Sequence, residues 1–215
     1  MFIMLLGAPG VGKGTQSKLI MGKCQIPQIS TGDILRAEIK NETDLGTQVK
    51  SILERGELVS DDFMLKIVAK RLKQADCVNG FILDGFPRTI PQADGLGGIL
   101  ESIGNVKLNV VEISVPDDEI IKRLTSRRVC SQCGTLYNIL VNPPMEGNAC
   151  SVCGGQVFQR DDDKSETIKN RLQIYRKSTA PLIQYYKQRG DYGEVNGLKP
   201  VDSVFDEIME ILGGC

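Results

Sequence analysis

The chain has 215 residues, 41% of them hydrophobic, and carries 26 Lys and Arg against 27 Asp and Glu for a net charge of −1. That length suits one main domain with insertions, and the charge balance offers no bulk attraction for nucleic acid or an anionic membrane. Histidine is absent, which excludes imidazole acid–base chemistry, histidine-activated nucleophiles and histidine metal ligands.

Met1 to Leu6 is an apolar run that reads as a buried strand. It is too short for a signal peptide and has no basic flank, so it is read as mature protein. No run approaches the length of a membrane span, and a soluble, cytoplasmic protein is expected. Gly7 to Thr15, GAPGVGKGT, follows the strand, and Lys18 to Met21 reads as the start of a helix. Gly7, Gly12 and Lys13 meet the spacing G-x-x-x-x-G-K. Glycines so placed let successive N–H groups point into one concavity, a helix N-terminus behind them adds partial positive charge, and the lysine reaches the outer phosphates. A plain turn between strand and helix could carry the same letters; the flanking elements favour a phosphate loop. Gly14 stands where Ser or Thr usually meets the metal, and the hydroxyl comes one place later at Thr15, so direct Mg²⁺ ligation there is not expected.

Gln28 to Ser30 reads as a second short strand. Ser30 and Asp33 have capping-box spacing at the head of a helix running from Thr31 to Lys40. Thr31 and Arg36 on that helix either belong to a well-capped segment or face a second anion. A further helix, Asp44 to Arg55, stops at Gly56-Glu57-Leu58-Val59, so residues 30–59 read as a helical insertion. Ser60-Asp61-Asp62 caps the next helix, to about Gln74, with Phe63, Ile67, Val68 and Leu72 on its core face.

Gly80 to Asp84 is an apolar strand ending in a carboxylate. A turn or cap residue is the ordinary reading of such an Asp. At the C-terminal edge of a parallel sheet, however, it could hold Mg²⁺-bound water beside the phosphate loop, and Gly85-Phe86-Pro87-Arg88-Thr89 places an arginine straight after a rigid turn. A helix from Ile90 to Ile103 and a strand from Leu108 to Val115 come next. Pro116 and Asp117 then open a helix on which Arg123 and Arg127, four apart, share a face. A solvated basic face is the common explanation of such a pair.

Cys130-x-x-Cys133 and Cys150-x-x-Cys153, with sixteen residues between, fit the template of a four-thiolate metal site. Four thiolates close a tetrahedron around Zn²⁺ with no open position, which marks a structural site; iron in the same cage and two disulfides are the alternatives. The seven cysteines are an odd number, which favours metal in a reducing compartment. Cys24, Cys77 and Cys215 have no partner spacing, and Cys24 and Cys77 are expected as buried thiols. Asp161 to Asp163 reads as a charge run on a solvated surface. A long helical stretch carrying Arg171 then runs through Tyr186. Gly193 to Asn196 is the last expected strand, and Gly197 to Pro200 a loop before a final helix from about Ser203.

The ordered set GAPGVGKGT, STGD with Arg36, GELV, DGFPRT with Gln92, RLTSRR, the four cysteines, QRDDD and Arg171 on RLQIY resembles the adenylate kinase family in its long-lid, zinc-containing type. The resemblance covers essentially the whole chain. It implies a P-loop, doubly wound, five-stranded parallel sheet flanked by helices. The core would be 1–29, 60–125 and 164–215, the nucleoside-monophosphate part 30–59, and the zinc-stapled lid 126–163. Gly10, Val11, Gly12, Lys13, Gly14 and Thr15 would cradle ATP phosphates, with Arg123, Arg127, Leu136, Tyr137 and Lys199 as further ATP contacts. Thr31, Arg36, Glu57, Leu58, Val59, Gly85, Phe86, Pro87, Arg88 and Gln92 would receive AMP, with Arg160 and Arg171 reaching the phosphates from the lid side. Lys13, Arg36, Arg88, Arg127, Arg160 and Arg171 would stabilise the transferring phosphoryl group, and Asp33 and Asp84 would orient water on Mg²⁺. Zn²⁺ would be structural, and the enzyme monomeric. Asn138, where many relatives have histidine, and Cys153, where some have aspartate, depart from the pattern.

The implied reaction, MgATP plus AMP giving two ADP, uses phosphate oxygens as attacker and leaving group and so needs no histidine. The nearest rivals are a UMP/CMP kinase and a GTP-dependent AMP kinase; Thr31 favours AMP. A zinc ribbon binding nucleic acid beside a phosphate-loop switch is a more distant reading. It calls for a basic, aromatic surface, and the segment between Cys133 and Cys150 has a single tyrosine, one Glu and no Lys or Arg.

Overall fold

The computed structural model describes residues 1–215 apart from Asn105 and Asp191. Alternation in the first strand, β1 (Phe2–Leu6), decides the architecture. Met4 and Leu6 join one buried cluster while Ile3 and Leu5 join another, so both faces of the sheet need cover. Three further strands, β2 (Gln28–Ser30), β3 (Phe81–Asp84) and β4 (Leu108–Ser114), and a last one, β8 (Tyr192–Asn196), complete a parallel sheet in the order β2-β3-β1-β4-β8. On one face Met4, Phe81, Leu83 and Val110 pack with Val68 and Leu72 of α4 (Asp61–Leu72), Ala93 and Leu96 of α5 (Ile90–Ser102) and Leu182 of α8 (Pro181–Lys187). On the other, Ile3, Leu5, Ile82 and Val111 meet Ile20 of α1 (Lys13–Cys24), Leu124 of α6 (Asp117–Ser126), Leu172 of α7 (Ser165–Ile174) and Ile208 of α9 (Val201–Leu212). The strand order reverses beside β1, and its carboxyl end is where a doubly wound sheet opens a crevice. Register places Leu5 and Ser30 on either side of Asp84 there.

Two excursions leave this core. Between β2 and α4, helices α2 (Thr31–Lys40) and α3 (Asp44–Glu54) pack so closely that a Cβ on Gly46 would meet Glu38 O at 2.2 Å. The Ser30 hydroxyl accepts from Asp33 N at 3.3 Å, as the capping-box spacing requires. After α6, strands β5 (Arg127–Cys130), β6 (Leu136–Asn138) and β7 (Val157–Phe158) form a separate antiparallel sheet ordered β6-β5-β7.

Several expectations are corrected. The first helix begins at Lys13 rather than near Lys18, because Gly12, at φ 111°, already serves as its N-cap. Arg123 and Arg127 do not share a helix face: α6 ends at Ser126 and Arg127 starts β5. Ser60 precedes α4 without a side-chain cap bond. The long helical stretch is broken by a π-helical turn, Tyr175–Thr179, and restarts at Pro181, since a proline removes the donor a continuous helix would use. Cys24 is not a buried thiol; it is half-buried and forms a disulfide with Cys215, their Cα atoms 5.3 Å apart. The aspartate run is solvated only in part: Asp161 is exposed, Asp162 is half-buried and Asp163 is 0% exposed.

Candidate active site

The phosphate loop is shaped by contacts that only glycine permits. Gly7 has φ 133°, and a Cβ there would meet Ile113 O at 2.4 Å. The turn runs directly into α1, whose first N–H groups therefore border the cleft. Lys13 Nζ donates to Gly7 O at 2.7 Å and Ala8 O at 2.9 Å. Burial lowers the Lys13 amine to about 8; Asp84 opposes the shift, while Arg88, Arg171 and Arg127 add to it. Asp84 closes β3 and accepts from Gln28 Nε2 at 2.9 Å. A Cβ on Gly14 would stand 3.7 Å from the same carboxylate, at ordinary contact distance, so Gly14 lies directly beside Asp84.

Arg88 is held on every side of its backbone. Its N–H donates to Gln92 Oε1 and its carbonyl accepts from Thr179 Oγ1, each at 2.8 Å. Its Nε donates to Gly85 O at 2.8 Å, and the Thr31 hydroxyl donates to the same carbonyl at 2.8 Å. Burial first, and then Arg171, brings the Arg88 guanidinium down to about 10. Arg36 Nη2 donates to Asp33 Oδ1, which also faces Arg160 Nη2 at 4.0 Å. Although burial acts to raise the Asp33 carboxyl, Arg36 outweighs it and holds the group below its usual range.

Arg127 and Arg171 meet aspartates of the acidic run. Arg127 forms a two-point pair with Asp163, at 2.8 and 2.6 Å. Arg171 lies 3.0 Å from Asp162 Oδ2 and 3.4 Å from Asp163 Oδ1. Burial would raise the Asp162 carboxyl, yet Arg171, Arg36, Arg127 and Arg160 together pull it below the ordinary carboxylate range. Arg160 falls to about 10 through burial and the neighbouring Arg36 and Arg127. Lys13, Arg36, Arg88, Arg127, Arg160 and Arg171 all line one cleft of about 670 Å³. The two excursions meet across it, with Lys40 Nζ donating to Ser131 O at 3.0 Å.

The remaining expected positions divide between this cleft and a smaller cavity. Gly10 to Thr15, Arg123, Leu136, Tyr137, Lys199, Asp33 and Asp84 line the cleft, as do Leu58, Gly85, Phe86 and Pro87. Thr31, Glu57, Leu58, Val59, Gly85, Arg88 and Gln92 line the cavity. Arg123 is spread flat between Glu119 Oε1 at 3.0 Å, Gly197 O at 2.9 Å and Val11 O at 3.4 Å. Lys199 pairs with Glu207 at 2.5 Å, and Glu57 with Arg55 at 2.8 Å. Sequence reasoning missed Asp162, Asp163, Gln28, Asp61 and Thr179. Local spacing does not mark Asp163, Gln28, Asp61 or Thr179, which meet Arg127, Asp84, Thr89 with Gln92, and Arg88 from 28 to 91 residues away.

In the second excursion the sulfurs of Cys130, Cys133, Cys150 and Cys153 lie within 4.8 Å of one another. Pairs stand 3.5 Å (Cys130 with Cys153) and 3.6 Å (Cys133 with Cys150) apart, close to the roughly 3.8 Å edge of a tetrahedron built on ~2.3 Å Zn–S bonds. The four thiols therefore fit that metal. Tyr137 borders the cleft, but its hydroxyl is turned into this cluster, 3.1 Å from Cys150 Sγ and 2.9 Å from Ser151 Oγ. That hydroxyl is the main reason the Cys150 thiol drops to about 6.

Among the described residues no helix is long and apolar enough to cross a membrane. The sequence pattern of the family described as Adenylate kinase matches residues 5–191. An adenylate kinase of Lachnospira eligens is 50% identical over 213 residues, covering 99% of this chain and 100% of that protein. One from Methanosarcina barkeri is 50% identical over 212 residues, with 99% and 98% covered; one from Archaeoglobus fulgidus is 46% identical at the same coverage. A phosphate loop at the sheet's switch point, cations gathered around one cleft and likeness along the full chain agree: this chain belongs to the adenylate kinase family, nucleoside monophosphate kinases that transfer a phosphoryl group from ATP to AMP.

Proposed function

We propose that the cleft holds ATP and AMP end to end, with the chain's own cations arranged around the phosphoryl group that passes between them to give two ADP. The observation that carries this assignment is the convergence of Lys13, Arg36, Arg88, Arg127, Arg160 and Arg171 on one cavity. Phosphoryl transfer asks for position and charge rather than covalent chemistry, and arginine's planar fork matches phosphate oxygens. Gly10, Val11, Gly12, Lys13, Gly14 and Thr15 cradle the ATP phosphates. Arg123 lies against the donor base, with Leu136, Tyr137 and Lys199 beside it. Thr31, Glu57 to Val59 and Gln92 receive the AMP base, and Arg36 and Gly85 to Arg88 its phosphate. Arg127, Arg160 and Arg171 reach both nucleotides from the lid side.

Adenylate kinases use Mg²⁺, which bound to ATP neutralises charge on the phosphates. Asp84, which borders the cleft beside the phosphate loop, would accept from its water ligands, and Asp33 would serve the same water once it leaves Arg36. The four lid cysteines hold structural Zn²⁺. We assign residues 30–59 and 126–163 as the mobile parts, closing on a core of 1–29, 60–125 and 164–215. Closure excludes the water that would hydrolyse ATP. A monomer in the cytoplasm is the assembly and location we favour.

The test is a crystal structure with two adenosines joined through five phosphates. The expected result is each named guanidinium within hydrogen-bond reach of a phosphate oxygen and the two bases in the cleft and the small cavity. Guanidinium groups turned outward in that closed, doubly filled form would overturn the assignment.

A further inference from the structure

We infer that Asp61 sets which purine is accepted as phosphoryl acceptor, by fixing which way round the Gln92 amide faces the small cavity. The inference rests on the reading above that this cavity takes the acceptor base. Gln92 sits in the first turn of α5 and is 2% exposed. It borders the cavity together with Thr31, Leu35, Val59, Met64 and Arg88. Asp61, the first residue of α4, is not part of that lining. Its Oδ1 accepts from Gln92 Nε2 at 2.8 Å and from Thr89 Oγ1 at 2.9 Å. At the other end of the amide, Gln92 Oε1 accepts from the backbone N–H of Arg88 at 2.8 Å.

These two partners leave the amide one orientation. An ionised carboxylate can only accept and a backbone N–H can only donate. Turning the amide over would set its NH₂ against the Arg88 N–H and its oxygen against the Asp61 carboxylate. Both contacts would be repulsive in a site with little water to soften them. A primary amide offers two N–H donors and two lone pairs, so one N–H and one lone pair remain for a ligand, in fixed places.

That fixed polarity matters because adenine and guanine differ by an inversion at the same edge. Adenine presents an amino donor beside a ring-nitrogen acceptor; guanine presents a carbonyl acceptor beside a ring N–H donor. A glutamine free to rotate serves either base. One that is held serves a 6-aminopurine and opposes a 6-oxopurine with two like-signed contacts. Asp61 is therefore a positioning residue for acceptor choice. Sequence reading, which saw only a helix-capping aspartate, had no means to find it.

The experiment compares kcat/KM for AMP and GMP in a coupled assay with the full-length enzyme, its Asp61→Ala and Asp61→Asn variants, and Gln92→Leu. Asp61→Ala is expected to reduce the AMP-to-GMP ratio by about tenfold or more. Asp61→Asn keeps an acceptor oxygen in place and should restore most of that ratio. Equal losses for both nucleotides in Asp61→Ala, with the ratio unchanged, would mean that Asp61 only supports packing, and would overturn the inference. If Gln92→Leu leaves the ratio unchanged as well, the reading of the cavity itself fails. If Gln92→Leu alters the ratio and Asp61→Ala does not, only the role of Asp61 fails. Should Asp61→Ala be too unstable to assay, the Gln92 side-chain amide of the native enzyme decides by NMR. A held amide gives two shifted protons exchanging slowly with water. Protons that exchange as fast as those of a surface glutamine would overturn the inference.

Discussion

The cleft and the lid tip are held together in opposite ways. Around the cleft, burial works against Lys13, Arg88 and Arg160, each brought below its ordinary value and each crowded further by neighbouring arginines. The arrangement survives because the buried Asp163 and the half-buried Asp162 pair with Arg127 and Arg171 and the surrounding sheet is packed on both faces. At the lid tip the only buried cluster is Cys130, Tyr137, Cys150 and Val157, far too little to fold a segment alone. On the assignment proposed above, the side chains there serve stability, whereas those of the cleft serve phosphoryl transfer and oppose stability. Substitution in one region should therefore separate turnover from melting, and interference with the other should do the reverse.

The largest expected effect breaks the cleft. Arg88→Ala should lower kcat by about a thousandfold or more, the range typical of an arginine that stabilises a transferring phosphoryl group. Its unfolding temperature should hardly move, since a cation disfavoured by burial and by Arg171 has been removed. Coupled turnover assays and calorimetry on the same sample measure both quantities. Near-normal turnover would remove Arg88 from the reaction, and a large loss of stability would show that the cleft is not organised at the expense of the fold.

The complementary perturbation falls on the thiols. Structural zinc is worth about 10 to 16 kcal/mol in isolated finger peptides; even a fraction of that, at ~2 to 4 °C per kcal/mol for a chain of this size, lowers melting by on the order of ten degrees. Chelation should do so while turnover at low temperature persists. Zinc content by elemental analysis, melting curves and activity at two temperatures test the point. Loss of activity from a chelated enzyme that remains folded in the cold would give the lid tip a part in the chemistry.

The same contrast explains what could be read from the chain without its structure. Gly7, Gly12 and Lys13 act within one turn, and Cys130 to Cys153 within one short segment, so spacing alone carries their meaning. The sheet was legible for a related reason: continuous apolar residues in β1 and β3 dictate burial on both faces. Asp163 was not legible, because an acidic run is ordinarily solvated and only the fold brings Arg127 against it from 36 residues away. Cys24 and Cys215, 191 residues apart, meet only because α1 and α9 run side by side, with Gln16 Nε2 donating to Val201 O at 3.0 Å near their other ends. Arg127 was misplaced for a subtler reason. A helix that becomes a strand in one step, between Ser126 and Arg127, leaves no glycine or proline to announce it.

The smallest effect tests the cleft by proton rather than by mutation. The Lys13 amine sits at about 8 in the folded chain against an ordinary 10.5, so the unfolded chain binds its proton more tightly. The cost of folding around the charged lysine is thus fully present below about pH 8 and is relieved as pH rises toward 10.5. ATP reverses the balance, because phosphates beside Nζ favour the ammonium form. Binding above pH 8 should then take up a proton, and affinity should weaken by up to about tenfold per pH unit. Calorimetric titrations with ATP near pH ~8.5, in buffers of different ionisation enthalpy, read that proton directly. Lys13→Arg keeps a charge that cannot be lost in this range and should bring the uptake close to zero. The electrostatic strain assigned to the cleft therefore has a signature that the lid tip cannot produce. An affinity that stays flat across that range would mean that Lys13 never exchanges its loop carbonyls for phosphate.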